Sequence, residues 1–146
     1  MKPFLVLAAS LVLAAPAFAD EQANTAVARR VFEDIYNRRD FAAAKEIYAP
    51  DFVNHGRSRD IGLAEDQAAA KAWCDAAPDL HVDILKSVAQ GDLVTLLWSA
   101  QGINTGSGNG LDKTGAHLKV RGITIWRVVG GKLAEEWSEF EMPAAP

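Results

Sequence analysis

HLKVRGITIWRVV (117–129), Gly130-Gly131 and KLAEEWSEFEM (132–142) decide the fold. Two runs rich in β-branched and aromatic residues, separated by a glycine pair, read as antiparallel strands joined by a tight turn. The turn Val129-Gly130-Gly131 is read as a three-residue hairpin with Gly131 left-handed, which sets Thr124 opposite Glu136 and Gly122 opposite Ser138. Upstream, a period of two holds from Leu80 through Val82, Ile84 and Leu85, and again in LVTLLWSA (93–100), with Gly91-Asp92 turning between them. TGSGNG (105–110) is a flexible connection to the last pair.

Towards the N-terminus the period lengthens. Val27, Val31, Ile35 and Tyr36 fall at helical spacing from Asn24 onward, with Phe32 beside them and Arg29, Arg30, Glu33 and Asp34 on the other side. Asn37-Arg38-Arg39-Asp40 ends this helix. Asp40 is expected to cap a short helix, FAAAKEIYA (41–49), that stops before Pro50. Residues 52–55 form a short extended piece, a polar loop runs to Gly62, and residues 64–77 make a third helix stopped by Pro78. Helices followed by a strand meander define an α+β protein, its N-terminal helices packed on one face of a curved, mostly antiparallel sheet.

The chain has 146 residues, 49% hydrophobic and 23% charged, the composition of a globular protein rather than a disordered one. Lys2, the apolar run FLVLAASLVLAA (4–15) and Ala17-Phe18-Ala19 read as an export signal cleaved after Ala19. That run is shorter than the roughly twenty apolar residues a membrane span needs. Residues 20–146 are then one domain in a periplasmic or secreted location. Once Lys2 is removed from the 15 basic residues, 14 face 19 acidic ones. Without a Lys/Arg cluster, this argues against nucleic acid, and against a membrane after processing, as partners. The one cysteine, Cys74, excludes an intramolecular disulfide and any multi-cysteine metal site, and beside Trp73 in a helical pattern it reads as buried. His55, His81 and His117 show no close ligand spacing, so no metal is expected. No Ser/His/Asp arrangement, phosphate-cradling loop or dinucleotide fingerprint is present, and no cofactor is expected either.

Several segments carry a resemblance. Tyr36-Asn37-Arg38-Arg39-Asp40, then Ile47-Tyr48-Ala49-Pro50-Asp51-Phe52-Val53-Asn54-His55, and Ala77-Pro78-Asp79-Leu80 leading into the sheet form its first half. Lys113-Thr114-Gly115, Arg121-Gly122-Ile123-Thr124-Ile125-Trp126-Arg127 and Gly131-Lys132-Leu133-Ala134-Glu135-Glu136-Trp137 complete it. In this order, from Ala26 to Glu139, the chain resembles the SnoaL-like polyketide cyclase family. The resemblance implies the nuclear-transport-factor-like fold, a cone of helices and curved sheet around one deep pocket, commonly a homodimer. That fold also hosts isomerases, dehydratases, epoxide hydrolases and binders without activity, so it leaves the reaction open.

By the same resemblance Thr124 points into the cone, and Gly122 and Trp126 follow by the period of two. Under the three-residue turn Glu136, Ser138 and Phe140 share that face, while Ile123, Ile125, Leu133 and Trp137 form an apolar outer stripe on which a homodimer would pair. The family's aspartate base and histidine align here with Ser138 and Thr124, and neither hydroxyl can abstract a carbon-bound proton. Acid/base work then falls to Glu136, whose pKa burial would raise, and to His55. His55 also reads as a polar core residue, and Glu136 as a solvated rim residue. Thr124, Ser138, Trp126, Trp73 and Trp98 are the candidate substrate contacts, the tryptophans reading equally as core. Arg121 and Arg127 read as surface residues. The expected function is cofactor-free acid/base chemistry, of cyclase, isomerase or lyase type, on a small apolar carbonyl or ester compound. The alternative is a binding protein that holds such a ligand without turning it over.

Overall fold

The computed structural model describes residues 16–111 and 115–141. Residues 1–15 of the expected export signal, Lys113 and Thr114 of the family-like loop, and Met142 lie outside them. Helix α1 (Pro16–Arg30) begins earlier than the apolar spacing alone predicts and continues as a wider π-helical coil through Asn37. Its inner side buries Ala28, Val31, Phe32 and Ile35. The expected 41–49 helix is shorter: a tight turn at Phe41–Ala43 leads into α2 (Ala44–Ile47), and Asp40 makes no side-chain cap. Its main-chain carbonyl takes the Ala43 N–H instead, at 3.2 Å. Tyr48 and Ala49 pass to strand β1 (Tyr48–His55), where both are buried. The loop expected after it contains a short strand, β2 (Asp60–Gly62), and α3 (Leu63–Ala76) follows.

The meander then runs β3 (His81–Gln90), β4 (Leu93–Ile103), β5 (His117–Val129) and β6 (Lys132–Glu141). The open sheet has the order β2-β1-β6-β5-β4-β3, antiparallel except at the β1–β6 junction. Pro50, which has no N–H to give a ladder, lies in the stretch between Tyr48 and Val53 where the β1–β6 register slips.

The last hairpin corrects the expected register. Val129 pairs with Lys132 across a two-residue turn, with Gly130 and Gly131 both left-handed at φ 59° and 77°. Such a turn matches the twist of the strands it joins. Ala134 is then skipped in the ladder, so Thr124 faces Ser138, Trp126 faces Glu136 and Gly122 faces Phe140. The bulge reverses the alternation within β6. Leu133, expected on the outer stripe, is completely buried, and Glu136 shares its face.

Among the described residues, helices cover only that inner face. Val82, Val94, Leu96, Leu118, Val120, Trp126, Val128 and Leu133 meet Phe32, Ile35 and Ile47 there in one core. Each such side chain contributes about 1.5–3 kcal/mol by leaving water. Phe32 joins the rings of Trp98 and Trp126, with centroids 5.5 and 5.7 Å away. Gly122 sits beneath Trp98, and a Cβ there would stand 2.4 Å from the Trp98 ring and 2.8 Å from Phe140 Cβ. Both neighbours are held, so overpacking is the expected result of any side chain. Gly122→Ala should lower stability by about 1–3 kcal/mol in urea unfolding and change Trp98 fluorescence. A variant as stable as the parent would show that Trp98 does not rest on Gly122.

Candidate active site

Strand alternation sends Thr124 and Trp126 from β5, and Glu136 and Ser138 from β6, to the helix-covered face. Asn54 of β1 lies beside Glu136 in the parallel pair. Three donors converge on the Glu136 carboxyl. Ser138 Oγ donates to Oε1 at 2.8 Å, Trp126 Nε1 to Oε2 at 2.7 Å, and Asn54 Nδ2 to Oε1 at 3.3 Å. Behind Ser138, the Thr124 hydroxyl lies 2.8 Å from the serine hydroxyl and accepts from Trp98 Nε1 at 3.0 Å. An indole N–H can only donate, and Ser138 spends its own hydrogen on the carboxyl. The Thr124 hydrogen therefore goes to Ser138, and the whole relay runs towards Glu136.

A second carboxyl joins from α3. Asn54 Nδ2 also donates to Asp66 Oδ1 at 2.8 Å, and Gln67 Nε2 donates to Asp66 Oδ2 at 3.1 Å. One amide nitrogen thus uses its two hydrogens on two acids. Glu136 is 8% exposed, and its pKa is pushed up to about 8, first by burial and then by the charge of Asp66. The bonds from Ser138 and Trp126 favour the anion and oppose that rise. Burial also raises Asp66, against the bonds from Asn54 and Gln67. Among the described residues no Lys, Arg or His forms an ion pair with either group, so the two carboxyls titrate as a linked pair. Tyr36 and Tyr48 nearby stay neutral, since burial and both carboxyls push their phenols upward.

The structure brings together Glu136, Ser138, Thr124, Trp126 and Trp98. It does not bring His55 to them. His55 faces the other side of the sheet, stacked on Trp137 at 4.8 Å between ring centroids and 17° between planes. Its ring nitrogens meet Glu135 Oε2 at 3.1 Å and Asp60 Oδ1 at 3.2 Å. Trp126 is 1% exposed and touches Glu136 from inside the core. Trp73 packs on the core from α3, and among the described residues no hydrogen bond joins it to the cluster. Arg127 pairs with Glu135 and Asp92 on the outer side. His81 and His117 line a separate outer groove of about 530 Å3 with Gln101 and Lys119.

Asn54 and Asp66 escaped the sequence reading, although both left a signal. Asp66 precedes Ala70 and Trp73 by four and seven residues, the spacing of one buried helix face. Asn54 neighbours His55, and adjacent strand residues point to opposite faces.

The chain matches the family model described as SnoaL-like polyketide cyclase over residues 26–144. Among solved structures it is similar to a candidate SnoaL-like polyketide cyclase from Jannaschia sp. CCS1, at 19% identity and TM-score 0.76, covering 90% of this chain and 97% of that one. It is also similar to AclR, a candidate hydroxylase from Streptomyces galilaeus, at 22% identity and TM-score 0.75, covering 84% and 92%. A candidate ketosteroid isomerase from Kribbella flavida aligns at 17% identity and TM-score 0.65, covering 87% and 84%. At these identities the likeness establishes the fold, the nuclear-transport-factor-like α+β arrangement. A comparison with curated proteins finds no match.

The raised pKa of Glu136 has a consequence for stability. Between pH 4.5, its ordinary value, and about 8, the folded protein holds a proton that the unfolded chain has released. Stability from this group is therefore greatest at the acid end of that window and falls as pH rises. Glu136→Gln should flatten this dependence, unfolding at higher denaturant than the parent above pH 8. Parallel pH profiles for the two proteins would remove the buried-acid assignment.

Proposed function

Because the chain belongs to the SnoaL-like polyketide cyclase family, we propose that it binds a small, largely apolar carbonyl or ester compound and moves a proton on it without a cofactor. The observation that carries this reading is a buried carboxyl with a pKa of about 8 at the end of a one-way hydroxyl relay. A general base works best when its pKa lies near the working pH, and burial brings Glu136 there. In the proposed step the Glu136 carboxylate takes a proton from the carbon beside the carbonyl. The electron pair moves onto the carbonyl oxygen, and the Thr124 or Ser138 hydroxyl turns to donate to the resulting enolate. Return of the proton from Glu136 to another carbon completes an isomerisation; attack of the enolate carbon on a second carbonyl, whose electron pair moves to its oxygen and there takes the proton back from Glu136, completes a cyclisation. Asp66 keeps the base weakly acidic through its charge, and Asn54 holds the two carboxyls in place. Exposure rises along β6 from Glu136 through Ser138 to Phe140, which is 39% exposed, so the ligand enters from the Phe140 end beside Trp98.

A binding protein without turnover is the second reading, favoured by one observation: each polar side chain in the chain from Trp98 to Trp126 already has an internal partner. Such closure also suits a structural polar core. The two readings part on rate. On a substrate found by screening, the rate should rise with pH towards about 8 as the base ionises, and Glu136→Gln should lower kcat/KM about a hundredfold or more. No turnover in the parent, with weaker ligand binding in Glu136→Gln, selects the binder. Full turnover in the variant removes Glu136 from the chemistry.

Export and pairing belong to the same proposal. Cleavage after Ala19 would leave Glu21 and Asn24, which already hold the β3–β4 turn by bonds of 2.9 and 3.1 Å to Gly91, close to the new N-terminus. The outer sheet face presents Leu85, Val88, Ile123 and Val129, each more than 40% exposed, and an uncovered stripe of that kind suits a second copy. Native mass spectrometry of exported protein should give a chain beginning at Asp20 and twice that mass for the assembly. A full-length chain counts against export, and a single-chain mass at micromolar concentration counts against the dimer.

A further inference from the structure

The outer face of the β1–β6 junction repeats, with different groups, the bridge found on its inner face. Inside, the Asn54 amide spans Asp66 and Glu136. Outside, the His55 ring spans Asp60 and Glu135. The members of the two bridges are chain neighbours: Asn54 and His55 on β1, Glu135 and Glu136 on β6, and Asp60 on the β2 segment that opens directly into α3 and Asp66. Whatever holds the outer bridge therefore holds the three backbones that aim the inner one.

Carboxylates only accept hydrogen bonds. A ring with a carboxylate at each nitrogen completes both bonds only when both nitrogens carry hydrogen, as the imidazolium. We infer that His55, in its charged form, is a positioning residue: it clamps β1 and the β2–α3 segment to β6 and thereby keeps Asn54 donating to Glu136, so that loss of its proton loosens the inner carboxyl pair. This rests on the reading of Glu136 as the proton-transfer group and adds a regulation of that site by pH.

The surroundings favour the charged form over the neutral one. Asp60 faces the ring from β2, and Glu135 from β6. Beyond Glu135 stands Arg127 of β5, itself shared with Asp92, and Arg57 and Arg59 of the intervening loop are occupied by Glu139 and Glu65. The bond to Glu135 is the largest influence raising the His55 pKa, burial works against it, and the bond to Asp60 adds to the rise. A raised histidine pKa stabilises the fold below the ordinary value of 6.5, and that stability is lost as pH rises through the raised value. The clamp is thus closed in mildly acid conditions and released on the alkaline side.

The Trp126 indole N–H bonds directly to Glu136 and reports its state by nuclear magnetic resonance without a substrate. In the parent, its signal should move in step with the His55 ring-proton titration as well as with Glu136. His55→Gln carries no charge and has both its N–H groups on one nitrogen, not at the two ring positions that Asp60 and Glu135 face, so the first movement should vanish and the Glu136 midpoint should rise by about half a pH unit or more, because a donor to its anion is lost. His55→Arg keeps charge and two donors, and should restore the midpoint while removing the histidine step. A field acting through space would give the same signs, and Asn54→Ala separates the two causes. In that background His55→Gln should have no further effect on the Glu136 midpoint. An undiminished effect there, or a Trp126 signal indifferent to His55 in the parent, overturns the inference. Should His55→Gln not fold, the parent titration decides alone. Because the readout is a titration and not turnover, a negative result leaves the proposed chemistry standing, and an inactive protein leaves the coupling standing.

Discussion

Ala134 has no partner on β5, and the placement of the polar cluster depends on that single unpaired residue. The ladder passes from Val128–Leu133 directly to Arg127–Glu135, so two residues three apart in β6 share the inner face. With an unbroken alternation Leu133 would still be buried, but Glu136 would turn outward and Glu135 would enter the core. The inner face would then meet Trp126 and Asn54 with a carboxyl one residue out of register. The irregularity is matched across the strand, where β1 slips against β6 between Tyr48 and Val53. Lys132 Nζ, bonded to the Lys45 carbonyl at 2.6 Å, fixes the start of β6 just before the bulge.

What the bulge delivers is a nearly balanced acid. Leaving water costs an ionised carboxyl several kcal/mol, even after the protein relaxes. Each hydrogen bond to a charged group returns about 1.5–3 kcal/mol. The bonds from Ser138 and Trp126 therefore offset only part of what the burial of Glu136 costs, and burial, with the charge of Asp66 added, decides the balance in favour of the proton. Fewer donors would leave a permanently neutral acid, and a facing arginine would make a permanent anion. Neither could exchange a proton near neutral pH. Arginines are not scarce in this chain, but Arg30, Arg38, Arg57, Arg59 and Arg127 are all occupied by other carboxylates.

The period of two in residues 80–142 was enough to place the meander and, with the family resemblance, the α+β fold. The face of Glu136 was also anticipated, but by a three-residue turn that the structure replaces with a two-residue turn and a bulge. Both routes insert one extra residue, so they agree on which way Glu136 points and differ on what lies opposite. They also part at Leu133, which the bulge keeps inside. A glycine pair permits either turn, and no residue type marks a bulge at Ala134. The family resemblance points His55 to the inner site, and an extended piece of only four residues is too short to anchor the alternation that would test this. The eight residues from Tyr48, with Tyr48, Ala49 and Phe52 buried, supply that anchor. Asp66 was legible in the helical spacing of its neighbours, yet an acid on an alanine-rich helix reads first as its solvated side.

The β1–β6 pair explains why side chains are concentrated at this junction. It is the sheet's one parallel contact, and parallel ladders are slightly weaker per residue than antiparallel ones. Its register also breaks in the middle, which removes further main-chain bonds. A joint with a thinned ladder needs other cross-links, and here they are ionisable on both faces: Asn54 with two acids inside, His55 with two acids outside. Protons therefore bear on the one part of the sheet whose backbone is least able to hold itself. The meander from β3 to β6 is antiparallel throughout. That difference makes the β1–β6 junction, rather than the hairpins of the meander, the place where pH can act on the site.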